Sequence, residues 1–215
     1  MSIKYIIHAA NPRMWYVNGY LIPSLLAQGI KEDQIELCLD VGLGNLETTM
    51  NCFKVCGDAW HLQDDVVICK DFYARTRDRP ELVTAGFVYE YFGPDVGMIG
   101  RVPANELWYS FPCIYIPGEL ARECAEWFFT SAIYNNRFTG FVKLKINDDG
   151  MFREFLLERH RDLIAENLNP CLVDHIDYLI GGSLVGLEEN PKKRPAAYWY
   201  DDTPNKELIE WLKER

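Results

Sequence analysis

The feature that most constrains this chain is a strict alternation of short apolar runs and helix-period stretches over its first 68 residues. Ile3 to Ala9 is apolar and closes at the breaker pair Asn11-Pro12. From Met14 to Gln28 the apolar residues Trp15, Tyr20, Leu21, Leu25 and Leu26 recur at spacings of three and four, which predicts a helix kinked at Pro23. Ile35 to Val41 is a second strand-like run. Gly42 and Gly44 break it, and Leu46 to Cys56 reads as a second helix. Ala59 to Ile68 is a third run, interrupted or ended by Asp64-Asp65. Strand and helix in turn predict βαβ units, and therefore a mostly parallel central sheet flanked by helices.

The second half changes rhythm. Val83 to Tyr91, Pro112 to Ile116 and Leu172 to Ile180 read as strands, and Gly93 to Ser110 as a Gly- and Pro-containing loop region. Gly118 to Tyr134 reads as a helix, and Asp148-Asp149 stand before another from Met151 to about Glu166. From Glu188 the composition shifts to Glu, Lys, Pro and Tyr, ending in a short helix over Lys206 to Lys213. The expected organisation is one domain over residues 1–187, with a tail or lid over 188–215.

With 215 residues, 48% of them hydrophobic, the chain can bury one sizeable core. Its formal charge of −10 argues against a nucleic-acid partner, since phosphate neutralisation needs a basic face. It leaves room for an anionic ligand held by a few local cations or a metal ion. No apolar run approaches the ~18 residues of a membrane span, and the first residues lack a signal-peptide pattern, so a cytoplasmic location is expected. The seven cysteines are scattered with no CxxC pair. They are expected to be free thiols in a reducing compartment, and a zinc site built from them is not expected.

The string Trp60-His61-Leu62-Gln63-Asp64-Asp65-Val66 carries the strongest chemical signal. Two adjacent carboxylates follow an apolar strand at the edge where a βα loop should begin, and ligands of open α/β sheets bind outside the carboxyl ends of strands. Two like charges side by side call for a cation. Mg²⁺ or Mn²⁺, with its oxygen ligands, suits that place.

In this order along the chain, a first strand, a helix, a second strand ending in Asp40 and a strand ending in Gln63-Asp64-Asp65-Val66 resemble the GT-A-fold nucleotide-sugar glycosyltransferases. The acid pair is similar to the Asp-x-Asp motif in its "EDD" form, as in the lipopolysaccharide-type and family-two-like transferases, with Gln63 standing where that family often has an acid. The resemblance covers residues 3 to about 185. It implies Asp65 as a ligand of a Mn²⁺ or Mg²⁺ ion on the donor diphosphate, and Asp64 beside the ribose or sugar. It places His8, Asn11 and Arg13, at the end of the first strand, and Asp40, at the end of the second, against the nucleotide.

The same resemblance implies that Asp148-Asp149-Gly150 supplies the catalytic carboxylate of an inverting enzyme, with Asp149 as general base on the acceptor hydroxyl. It implies His175, in Val173-Asp174-His175-Ile176-Asp177-Tyr178, as a further metal ligand. Lys192 and Lys193 could close over the departing diphosphate, and Trp108, Tyr109 and Phe111 stand where an acceptor would enter. The expected partners are thus a nucleotide-sugar donor and a saccharide or other hydroxyl acceptor. Two alternatives remain open: a nucleotidyltransferase of similar fold, and a non-catalytic carbohydrate- or nucleotide-sugar-binding module. A nucleotidyltransferase usually has a Gly-rich, basic first loop, which this chain lacks.

Other chemistries find no support. Gly42-x-Gly44-x-x-Glu47 has Glu47 in place of the third glycine of a dinucleotide fingerprint and follows the second strand. Val185 breaks a G-x-S-x-G elbow begun at Gly181. The sequence contains neither a Walker loop nor H-E-x-x-H.

Overall fold

The computed structural model describes residues 3–88, 100–103, 111–131, 147–168, 170–182 and 202–215. A seven-stranded sheet forms its centre, in the order β2-β1-β3-β7-β5-β8-β6. These strands are β1 (Lys4–Ala10), β2 (Ile35–Asp40), β3 (Ala59–Gln63), β5 (Thr84–Ala85), β6 (Gly100–Pro103), β7 (Cys113–Ile116) and β8 (Ile164–Asn167). A separate two-stranded ladder pairs β4 (Val66–Ile68) with β9 (Val173–His175). β1 runs parallel to both β2 and β3, and β5 parallel to β8, while β7 and β6 run against their neighbours. The result is a Rossmann-like α/β sheet in which most strands share one direction, as the alternation predicts.

Period-2 alternation explains how both faces are filled. On β1, Tyr5 and Ile7 enter one core with Trp60, Leu62, Tyr16 and Leu25, whereas Ile6 enters the other with Met50, Phe53, Phe128 and Phe152. A sheet covered on both sides needs apolar residues at successive positions, and residues 5–7 are all buried.

Residues 11–27 form a helical stretch in four pieces: a 3₁₀ turn (Asn11–Arg13), an α turn (Met14–Tyr16), a π-helical segment (Val17–Leu21) and an α-helix (Ile22–Ala27). Pro23 has no N–H for the preceding turn, and the register widens there instead of the chain breaking. The Tyr16 hydroxyl donates to the Val66 carbonyl at 2.6 Å, tying this stretch to the segment after Asp64-Asp65.

Two helices cover the second face. The Gly118–Thr130 helix starts against the backbone of Gly57, where a Cβ on Gly118 would lie 2.5 Å from the Gly57 carbonyl carbon, so only glycine fits. The Asp148–Arg159 helix is capped by the Asn147 side chain, which accepts from the Gly150 N–H. It begins at the acid pair itself and ends by Arg159, earlier than expected, because the chain leaves it for strand β8.

The C-terminal helix spans Thr203–Lys213 and packs on the first core. Leu208 is fully buried there, and the Trp211 and Trp15 rings stack at 6.0 Å with an interplanar angle of 1°. The helix expected over 206–213 is therefore longer and is docked on the body of the domain. Residues 183–201, which include Lys192 and Lys193, lie outside the described residues, as do Trp108 and Tyr109. The strand expected over Leu172 to Ile180 is β9 alone, because a 3₁₀ turn (Asp177–Leu179) follows it.

Candidate functional site

The carboxyl ends of β1, β2 and β3 open on one cleft of about 430 Å³. His8, Arg13, Asp40, Asp64, Asp65, Asp148, Asp149 and His175 all line it. Asn11 does not. It is exposed in the 3₁₀ turn that follows β1 directly and is not among the residues lining the cleft.

Asp64 and Asp65 form the turn between β3 and β4. Both are buried, not exposed at a strand end, and Arg13 explains how they can be. One nitrogen of its guanidinium lies 2.9 Å from Asp64 Oδ1 and also binds Asp65 Oδ2, while the other donates to the Gly182 carbonyl at 2.6 Å. Asp64 Oδ2 accepts the Ala10 N–H at 2.7 Å, so both its oxygens are used. The resemblance places Arg13 against the nucleotide. Here its charge is spent on the acid pair, since two buried carboxylates need a cation between them.

Asp65 also meets His175, whose Nε2 lies 3.0 Å from Asp65 Oδ2. On its other side His175 Nδ1 lies 3.4 Å from Asp177 Oδ1. The β4–β9 ladder sets this up, because Val66 is the register partner of His175 and the Ile176 N–H donates to the Asp65 carbonyl at 2.8 Å. Burial alone would lower the imidazole, but Asp65 and then Asp177 raise it to about 9. Burial alone would raise the Asp65 carboxyl, but His175 and then Arg13 bring it down to about 2. For Asp64 burial and the neighbouring Asp65 prevail over Arg13, and its carboxyl is raised.

Asp65 and His175 are the groups here that could hold a divalent cation. Asp65 Oδ1 is buried with no hydrogen-bond partner among the described residues, which leaves one carboxylate oxygen available. An imidazole stands beside it. The competing cation is Arg13, already in contact with both acids.

The opposite wall of the cleft is the start of the Asp148–Arg159 helix. Asp148 is buried, and its Oδ2 accepts from Thr49 Oγ1 at 3.2 Å. Asp149 is half-buried, and its Oδ1 accepts the Gly150 N–H at 2.7 Å. Burial, with the neighbouring Asp148 second, pushes the Asp149 carboxyl up to about 7. Asp148 is also raised, by burial.

At the rim, Asp40 Oδ1 accepts the N–H groups of Gly42, Leu43 and Gly44 at 2.8 to 3.1 Å, and Thr48 Oγ1 at 3.2 Å. Its carboxylate closes a loop in which Gly42 and Gly44 both take positive φ, 99° and 87°. Asp40 thus shapes the rim and retains one side-chain oxygen beyond these bonds.

At the floor, His8 meets groups that the sequence did not single out. His8 Nε2 lies 2.9 Å from His61 Nδ1, and His8 Nδ1 lies 3.3 Å from Thr49 Oγ1. Thr48, Asn45, Asn147 and Cys38 also line the cleft. Thr48, Asn45 and Asn147 come from helix starts and Cys38 from an edge strand, with no pattern of their own, so only the fold reveals them.

No protein-family model matches the chain, and no curated protein sequence matches it. Among solved structures it is similar to CTP:phosphocholine cytidylyltransferase from Streptococcus pneumoniae, with a TM-score of 0.52 and 13% sequence identity, over 99% of this chain and 100% of that one. At that identity the likeness is one of fold: a Rossmann-like α/β domain.

Proposed function

We propose that this chain is a metal-dependent glycosyltransferase that moves a sugar from a nucleotide-diphosphate sugar to a hydroxyl acceptor, with inversion. The observation that carries the reading is the facing of two unlike groups across one cleft. An Asp65–His175 donor pair stands on one wall and a carboxylate raised to about 7 on the other. Environments that push titratable groups apart in this way are those of working acid–base sites.

In this reading Asp65 and His175 hold Mn²⁺ or Mg²⁺, and the ion supplies positive charge against the diphosphate of the donor. Asp64, fixed by the Ala10 N–H and Arg13, orients Asp65 and faces the donor. Asp40 and the loop it closes border the nucleotide, with His8 at the floor. Lys192 and Lys193 are proposed to screen the departing diphosphate. Asp149 removes the proton of the acceptor hydroxyl as that oxygen attacks the anomeric carbon, and a base near pH 7 is suited to this.

A second reading is favoured by the cytidylyltransferase likeness. A nucleotidyltransferase would use the same acids on a nucleoside triphosphate and release pyrophosphate. Against it stands the first loop, which is short, has no glycine and commits its one arginine to Asp64 and Asp65.

The deciding experiment offers purified protein nucleotide-sugars, or nucleoside triphosphates with phosphorylated alcohols, in Mn²⁺ and in chelator. Metal-dependent binding of a nucleotide-sugar and release of nucleoside diphosphate in the presence of a saccharide acceptor support the glycosyltransferase. Pyrophosphate release supports the second reading. Binding with no turnover in either mixture assigns a binding module.

A further inference from the structure

Three side chains with nitrogen or sulfur donors, His8, Cys52 and His61, meet at the floor of the cleft on the face of the sheet covered by the Asn45–Phe53 helix, with Cys38 beside them. His8 on β1 and Cys38 on β2 are register partners, and His61 on β3 is the partner of Ile6, one step along the same face. The helix delivers Cys52 from above. One donor atom from each of His8, Cys52 and His61 lies within 4.8 Å of the others. The Cys38 thiol, which donates to the Thr48 carbonyl at 3.5 Å, stands beside this group but not within the same mutual distance.

We propose that His8, Cys52 and His61 form a zinc site at the cleft floor, with Cys38 turning from the Thr48 carbonyl to complete a tetrahedral set as fourth ligand. Two imidazoles and two thiolates are a donor set for Zn²⁺, which the oxygen-seeking Mg²⁺ does not share.

Three further observations support it. The His8 and His61 rings turn nitrogens toward each other at 2.9 Å, so loss of the proton they share leaves two nitrogen donors side by side. The His61 ring is fixed edge-on against Phe53 at 5.1 Å. His8 Nδ1 faces Thr49 Oγ1, which in turn donates to the Asp148 carboxylate. A histidine ligand tied through its second nitrogen to a carboxylate is the usual supporting arrangement of zinc centres.

On binding, the thiol protons leave to solvent, and the proton between the two rings shifts to an outward nitrogen. The metal would pin three adjacent strands and one helix together at the base of the cleft. The site shares His8 with the cleft floor but uses none of Asp65, His175 or Asp149, so the sulfur-dependent test below is read separately from the transferase reading. The absence of CxxC spacing does not count against it, because parallel strands bring together ligands that lie far apart in sequence.

The test is a titration of the chelator-treated full chain with Co²⁺, in excess Mg²⁺ to fill oxygen sites. Thiolate-to-cobalt charge-transfer absorption reports only a sulfur-containing site. The expected result is a band that saturates at one Co²⁺ per chain, bleaches with Zn²⁺ and weakens at least tenfold in Cys52→Ser. In the wild-type chain, added Zn²⁺ should slow iodoacetamide labelling of Cys38 and Cys52 at least tenfold, read by peptide mass spectrometry. That measurement decides the matter if Cys52→Ser does not fold. Absence of the band, a band unchanged in Cys52→Ser, unchanged labelling, or a metal-free Cys38–Cys52 disulfide in the purified protein would overturn the proposal.

Discussion

Asp65 Oδ2 and His175 Nε2 lie 3.0 Å apart at facing ends of the β4–β9 ladder, and Arg13 binds the same carboxylate oxygen. A carboxylate held between two cations is both a structural joint and the most polarised point of the cleft. Its removal therefore has two separable effects.

Asp65→Ala should abolish the metal dependence of nucleotide-sugar binding and also weaken the fold. Removing one partner of a buried, hydrogen-bonded charge set costs roughly 3–5 kcal/mol. Urea denaturation should show a loss of that size, and calorimetry in Mn²⁺ should show no metal-linked binding. Unchanged stability would mean that Arg13 and His175 do not depend on Asp65.

Arg13→Ala leaves two buried carboxylates without their shared guanidinium. We expect a drop in stability of a similar ~3–5 kcal/mol. Added Mn²⁺ should recover part of it in Arg13→Ala but much less in Arg13→Ala/Asp65→Asn. Equal recovery in both would place the ion elsewhere.

The metal-free protein should lose stability as pH rises through about 9. His175 is raised in the folded state, so its contribution is complete below its ordinary value of 6.5 and vanishes once the folded imidazole deprotonates. Melting temperatures across that window should fall in the wild type and stay nearly flat in His175→Gln.

Asp149 gives the opposite test on rate. As a base it works only when ionised, so transfer should rise with pH through about 7. Asp149→Asn should lower turnover by roughly 10² to 10⁴ with donor affinity little changed. Because its folded value is raised, ionisation of the wild-type carboxyl costs stability above that pH. Asp149→Asn should therefore melt higher than wild type at pH 8, and the difference should close toward pH 4. Near-normal turnover in this variant, with loss in Asp148→Asn, would move the base to Asp148.

Gly118→Ala should destabilise by about 1–3 kcal/mol, the range of overpacking, since the added Cβ meets the Gly57 backbone. A thermal melt at matched conditions checks this, with Gly42→Ala as the comparison for strained φ without a clash.

The part of the fold written most clearly in the sequence is β1, β2 and β3 with their intervening helices. Each apolar run there ends at Pro, Gly or Asp, and each carries residues for two cores. β8 was hidden, because Ile164-Ala165 continue the apolar period of the preceding helix and no breaker separates them from it. β6 fell inside a Gly- and Pro-containing stretch, and its burial is only partial. For the site, the acid pairs and His175 were visible as charges or a lone imidazole against apolar neighbours. The pairing of Arg13 with those acids was not. It depends on a helix beginning directly after β1, and nothing in the residue types distinguishes a phosphate-binding arginine from one already neutralised. Thr49 was equally hidden, since a hydroxyl within a helix has no signature until Asp148 stands opposite it.

The stacking of Trp211 on Trp15 sets the order in which a growing chain can complete its first core. Trp15, Tyr16 and Tyr20 leave the ribosome early, whereas the helix that covers them follows far behind: Tyr20 and its hydrogen-bond partner Pro204 are 184 residues apart. Until then the nascent domain carries an uncovered aromatic surface, the kind of surface that chaperones hold and that aggregates form on. Synthesis that stalls before residue 203 would therefore yield a domain with its strands paired but its flank open to unintended partners.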